Sequence, residues 1–153
     1  MGCGAASSYG SGGPTATDDL GKATALWKSL TGYQAWSQYA GMTGFQDASQ
    51  HGSYNQFYLN QAAAADLSSS GAIIVTESYD RKDPEALNGI FVMQNIAGYD
   101  KDFGNWFWAQ FDLDGNVVNL GLDGAPAAGR VDSCIQCHVS TAQGADLLHI
   151  NDN

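Results

Sequence analysis

The sequence predicts an α+β domain, a meander of antiparallel strands with flanking helices and a last helix near the C-terminus. Three observations carry this. Tyr54 to Asn60, Gly89 to Ala97 and Asn105 to Asp112 each alternate with period two. They follow one another without long helices between them, which calls for antiparallel pairing. Helical patterns stand before and after this block rather than inside it.

Residues 1 to 16 are rich in Gly, Ser and Ala and lack periodicity, so they read as a tail or linker. Thr17 is placed to cap a helix, with Asp18 and Asp19 in its first turn. Leu20, Ala23, Leu26, Trp27 and Leu30 then form one apolar face, and Gly32 stops it. A short second helix is expected over Tyr33 to Tyr39, anchored by Trp36, and a loop over Gly41 to Gly52. Phe57 and Leu59 share one side of the first strand. Ala62 to Leu67 reads as a helical turn. Ala72 to Tyr79 opens with Ile-Ile-Val, so its first half is expected to be buried on both faces.

In Gly89 to Ala97, Phe91, Met93 and Asn95 oppose Ile90, Val92, Gln94 and Ile96. In Asn105 to Asp112, Trp106, Trp108 and Gln110 oppose Phe107, Ala109 and Phe111. Asp114-Gly115 is a tight-turn dipeptide, after which Asn116 to Leu120 is expected to return as a short strand. The stretch Asp112 to Asn116 is a poor calcium loop, because its Gly comes too early and a late Glu is missing. Gly124 to Gly129 reads as loop, Val131 to His138 as a helix, and Ala142 to Ile150 as a last short one. Residues 17–153 are expected to form a single domain.

Composition excludes some functions. The chain has 153 residues, a formal net charge of -10 and only six Lys and Arg. Nucleic-acid binding needs a basic footprint, which is missing. The acidic balance suits a secreted protein or one that docks on basic partners. No run is long and apolar enough for a transmembrane helix.

The chemistry concentrates in Cys134-Ile135-Gln136-Cys137-His138. This is the C-x-x-C-H spacing of c-type haem attachment. On one helical turn both thiols face the same side and can add to the two vinyl groups of a haem. The adjacent imidazole then projects under the iron as its proximal ligand. One haem c is therefore expected, on Cys134, Cys137 and His138. Zinc is a weaker reading, since zinc sites usually draw on two separated clusters and only His51 and His149 remain. A redox C-x-x-C belongs beside a parallel sheet, which the pattern does not predict.

Haem c is attached outside the bacterial cytoplasm, so a periplasmic, outer-membrane-anchored or extracellular location is expected, with a secretion signal already removed. Gly2-Cys3 followed by the Gly/Ser-rich stretch looks like a lipoprotein start, and a trimmed flexible terminus is the plainer alternative.

The strand region adds a resemblance. His51-Gly52, Tyr58-Leu59-Asn60, Gly71 to Val75, Met93, Gly98-Tyr99-Asp100, Asn105 to Trp108, Asp114-Gly115-Asn116 and the terminal haem motif together resemble the cytochrome P-460 family, which includes the cytochromes c′-beta. The likeness covers roughly residues 20 to 150 in order. It implies a strongly curved antiparallel sheet with one haem c bound against it. Members of the P-460 kind join a Lys to the haem edge and process hydroxylamine or nitric oxide. Members of the c′-beta kind lack that link and bind small gases beneath an apolar cap. Where the pattern often reads Val-Lys-Glu, this chain reads Val75-Thr76-Glu77, and its lysines are Lys22, Lys28, Lys82 and Lys101.

Other side chains have two readings each. His51 and His149 are candidate sixth ligands of the iron, or a turn residue and a surface residue respectively. Met42 and Met93 are further candidates, or core. Arg130 is placed to pair with a haem propionate, or is a surface charge at a helix start. Glu77 is a distal proton donor if it faces the haem, and otherwise an exposed strand acid. Three functional readings follow. The first is a mono-haem cytochrome for electron transfer, with a redox partner, or for small-gas binding. The second is a haem enzyme on hydroxylamine, nitric oxide or peroxide. The third is a subunit of an extracellular redox assembly or filament, joined through the tail or Cys3.

Overall fold

A computed structural model describes residues 16–141. Its elements are α1 (Ala16–Ser29), β1 (Gln46–Asp47), β2 (Tyr54–Leu59), α2 (Gln61–Ala65), β3 (Ile73–Tyr79), β4 (Leu87–Asn95), β5 (Trp106–Phe111), β6 (Asn119–Leu120), β7 (Ala125–Pro126), β8 (Ala128–Gly129) and α3 (Asp132–Thr141). Among the described residues the main sheet has six strands in the order β1-β2-β3-β4-β5-β8, every pair antiparallel. The meander expected from the alternation is therefore present, with β8 added beyond β5.

Strand register sorts the side chains into two faces. Across one row, Leu59 opposes Ile74, Ile74 opposes Met93, Met93 opposes Trp108 and Trp108 opposes Gly129. Neighbouring rows on the other face pair Tyr58, Val75, Val92 and Ala109. Each face builds its own apolar core. Ala23, Leu26 and Leu30 of α1 pack on the Val75, Val92 and Phe107 face. Val131, just before α3, and Ile135 within it pack on the Ile74, Met93, Trp106 and Trp108 face. The central strands are thus covered on both sides, and burying each large aliphatic chain contributes about 1.5–3 kcal/mol.

Several expectations are corrected. Tyr33 to Tyr39 is not a helix but a single 3-10 turn at Tyr33–Ala35 followed by extended backbone at Trp36. The loop before β2 contains the short strand β1. Asn119–Leu120 pairs with Ala125–Pro126, and the return along β5 is confined to the Val117–Phe111 bridge and Val118 N donating to Gln110 O at 2.9 Å. In α1, Leu20 is exposed while Asp19 is buried. Asp19 occupies the apolar stripe because Tyr99 Oη donates to its Oδ1 at 2.9 Å. Burial raises the Asp19 pKa, and the Tyr99 hydrogen bond partly offsets this. Helix α1 already includes Ala16, so Thr17 lies inside it rather than capping it. The tail before Ala16, Cys3, the expected helix Ala142 to Ile150 and His149 lie outside the described residues.

Candidate functional site

Helix α3 carries the Cys pair. Val131, Ile135 and His138 recur at i, i+4 and i+7 and are buried toward the sheet. Cys134 and Cys137 flank that stripe, one turn apart and half-buried. Cys134 packs against the second core. Cys137 Sγ donates to Gln50 Oε1 at 3.8 Å. The amphipathic pattern of α3 therefore places His138 against the sheet, with both thiols beside it.

His138 opens into a cleft walled by strands β2 to β4 and by the chain between β1 and β2. Its walls include His51, Phe57, Ile74, Thr76 and Met93, with Met42 at one side and Asp47 to Gln50 along the rim. The cleft holds a cavity of about 220 Å³. The His138 ring stands edge-on to Trp108 at 4.6 Å between centroids. The His51 ring lies over Phe91 at 4.1 Å and 6.3 Å from the His138 ring.

The rim is held at several points. Lys82 Nζ pairs with Asp47 Oδ1 at 3.1 Å, and Ala48 N donates to Ser53 O at 3.0 Å. Gly52 follows His51 with φ 77°, and a Cβ there would collide with the Ser78 hydroxyl. Glycine is thus required at this step, where the chain presses onto β3 as it leaves His51.

The residues present fit a haem. Two thiols and an imidazole on one helical turn, beside an apolar wall with a polar rim, are the donor set of a covalently attached haem. Trp108 Nε1 is buried without a hydrogen-bond partner among the described residues, a polar atom left over on the ring that stands beside the His138 imidazole. Among the described residues no three His, Cys, Asp or Glu side chains converge to hold a metal ion directly.

Other candidates lie elsewhere. Arg130 Nη2 donates to the Tyr99 carbonyl at 2.9 Å, and its Nε lies 3.4 Å from Asp100 Oδ2. It does not line the cleft. Burial raises the Asp100 pKa, and Arg130 opposes the shift. Glu77 is neither exposed nor on the cleft side. It is 2% exposed on the face that packs against α1, where Tyr33 Oη and Tyr79 Oη donate to it. Thr76, its neighbour in sequence, lines the cleft instead. None of the four lysines does.

Sequence reasoning missed Gln50, Asp47 and Phe91 as parts of the site. Phe91 was readable as sharing a face with Met93, but not as the rest for an imidazole. Asp47 and Gln50 sit in irregular chain, where no periodicity marks direction.

A family model described as Cytochrome P460 matches residues 30–150. Among curated proteins, none matches the chain.

Proposed function

This chain belongs to the cytochrome P460 family, and on that premise we propose that it is a mono-haem c-type cytochrome acting as a one-electron carrier. The observation that carries the reading is the placement of Cys134, Cys137 and His138 together on α3, with the buried His138 lining a largely apolar cleft. Haem iron alternates between ferric and ferrous states and so stores one electron. The chain supplies the rest. Cys134 and Cys137 would hold the haem through its two vinyl groups, each thiol giving its sulfur to one carbon and its hydrogen to the other. His138 would offer its imidazole to the iron, and Trp108, edge-on at 4.6 Å, would set that ring's orientation from the side. Phe57, Ile74 and Met93 exclude water from the wall, which supports tuning of the potential through burial.

A second reading, small-gas binding at the same site, is favoured by that apolar wall. The resemblance-based hydroxylamine chemistry finds less support, because Thr76 stands in the cleft in place of the Lys of the pattern.

The test is expression in an export-competent host that matures haem c. Haem is expected to remain with the polypeptide after denaturing electrophoresis. It is expected to be lost from a Cys134→Ser, Cys137→Ser double variant. A native chain that carries no covalent haem under these conditions overturns the proposal.

A further inference from the structure

We propose that the phenols gathered around Glu77 form a proton-coupled oxidation site, which returns an electron to a haem oxidised by a hydroperoxide and passes the oxidising equivalent to the surface. The inference rests on the haem c reading above and extends it to a further class of substrate. Its first support is the hydrogen bonding. Tyr33, Tyr58, Tyr79 and Glu77 are all buried. Tyr33 Oη donates to Glu77 Oε1 and Tyr79 Oη to Oε2. Both carboxylate oxygens can thus take a phenol proton along an existing hydrogen bond. Burial first, then the bond to Glu77, pushes the Tyr33 and Tyr79 hydroxyls above the ordinary range. Such a phenol does not shed its proton to water, and it yields that proton to Glu77 only as it loses an electron.

The second support is position. Successive residues of a strand point to opposite faces. Phe57 and Thr76 line the cleft, and Tyr58 and Glu77, which directly follow them, lie on the α1 side. One thickness of sheet therefore separates cleft from cluster. Outward from there, Tyr33 stands edge-on to Tyr58 at 5.4 Å and to Trp36 at 6.4 Å. Trp36 is half-buried, so oxidisable rings lead from the sheet to solvent.

The third support is what the other aromatic groups lack. Trp108 stands beside His138, but its buried Nε1 has no acceptor among the described residues. Its oxidation would leave an uncompensated cation in an apolar core. Tyr99 has a carboxylate partner in Asp19, yet neither Tyr99 nor its sequence neighbours line the cleft.

The electrons balance as follows. A hydroperoxide takes two electrons from the haem and two protons from solvent, its O–O bond breaks, and it leaves as water and an alcohol, or as two waters. One electron is returned by a phenol, whose O–H bond breaks as an O–H bond forms on Glu77. The cluster then holds a neutral phenoxyl and a neutral carboxylic acid. A one-electron reductant returns the other electron and, through Trp36, reduces the phenoxyl, which recovers its proton from Glu77.

The test mixes the mature ferric holoprotein with hydrogen peroxide and freezes it for electron paramagnetic resonance. A phenoxyl radical is expected, with a spectrum narrowed by ring-deuterated tyrosine and a slower appearance in heavy water. The Tyr33→Phe, Tyr79→Phe double variant is expected to lose the radical. Glu77→Gln, which keeps both phenols, is expected to lose most of it and to bleach its haem several-fold faster per peroxide added. It decides the matter if the double variant does not fold. A holoprotein that leaves peroxide unreacted, or consumes it without a tyrosine signal, overturns the inference. So does a signal that survives the double variant, is unchanged by Glu77→Gln, or disappears with Tyr99→Phe. Covalent haem is present in each of these outcomes, whereas failure of the haem c reading removes it.

Discussion

Behind the sheet, hydroxyl groups converge on one carboxylate. Tyr33 and Tyr79 donate to Glu77, with Gln34 Nε2 3.4 Å away and Tyr58 beside it. A buried carboxylate is tolerable only with such donors. Glu77→Ala leaves two buried hydroxyls without their acceptor. Denaturant unfolding should show a loss on the order of 3 kcal/mol, with Glu77→Gln losing clearly less. The tyrosines answer in turn. Burial first, then the Glu77 charge, pushes Tyr58 up to about 12. An acid whose folded value is raised keeps its proton in the fold while the unfolded chain releases it. Stability should therefore fall as pH rises above the ordinary tyrosine value of about 10. Ultraviolet titration should find Tyr58 still protonated at pH 11. A normal titration near 10 would show that the cluster does not hold.

At the scale of elements, α3 depends on two aliphatic contacts. Ile135 and Val131 seat it against Trp106 and Trp108, and Ile135 N also donates to Val131 O at 3.0 Å. Ile135→Ala removes the central contact and should cost about 2–4 kcal/mol in thermal or denaturant unfolding. Because Ile135 lies between the two thiols in sequence, haem yield should fall with it. An unchanged midpoint would mean that α3 is seated by something else. The hairpin after β5 illustrates how local chemistry suffices elsewhere. Asp112 Oδ1 accepts from Asp114 N at 3.0 Å and Asn116 N at 2.8 Å, so the turn needs no tertiary support.

For the whole molecule the acidic balance matters most. With a formal net charge of -10, its field should speed encounter with a cationic redox partner. The Debye length shrinks from roughly 30 Å at 0.01 M to roughly 8 Å at 0.15 M salt. The rate of electron exchange with a cationic one-electron reagent should fall over that range, while exchange with a neutral reagent stays flat. Stopped-flow reduction of the haem measures both, and equal salt dependence would count against electrostatic steering.

Covalent spacing and periodicity were enough for one part of this protein. Cys134, Cys137 and His138 share one turn because a helix repeats every 3.6 residues, and this holds wherever α3 goes. Strict alternation likewise separated Phe91 and Met93 from Ile90 and Val92 before any partner was known. What alternation leaves open is which face looks at which helix, and that only the packing decided. α1 covers one face and α3 the other, which sends Glu77 into a tyrosine cluster and Thr76 into the cleft. His51 gained its place the same way. It lies 87 residues before His138 along irregular chain, and no local pattern aims its ring. Phe91, the Asp47–Lys82 pair and the pressure of Gly52 on Ser78 do so together, because long-range contacts rather than backbone periodicity set the direction of a side chain in a loop.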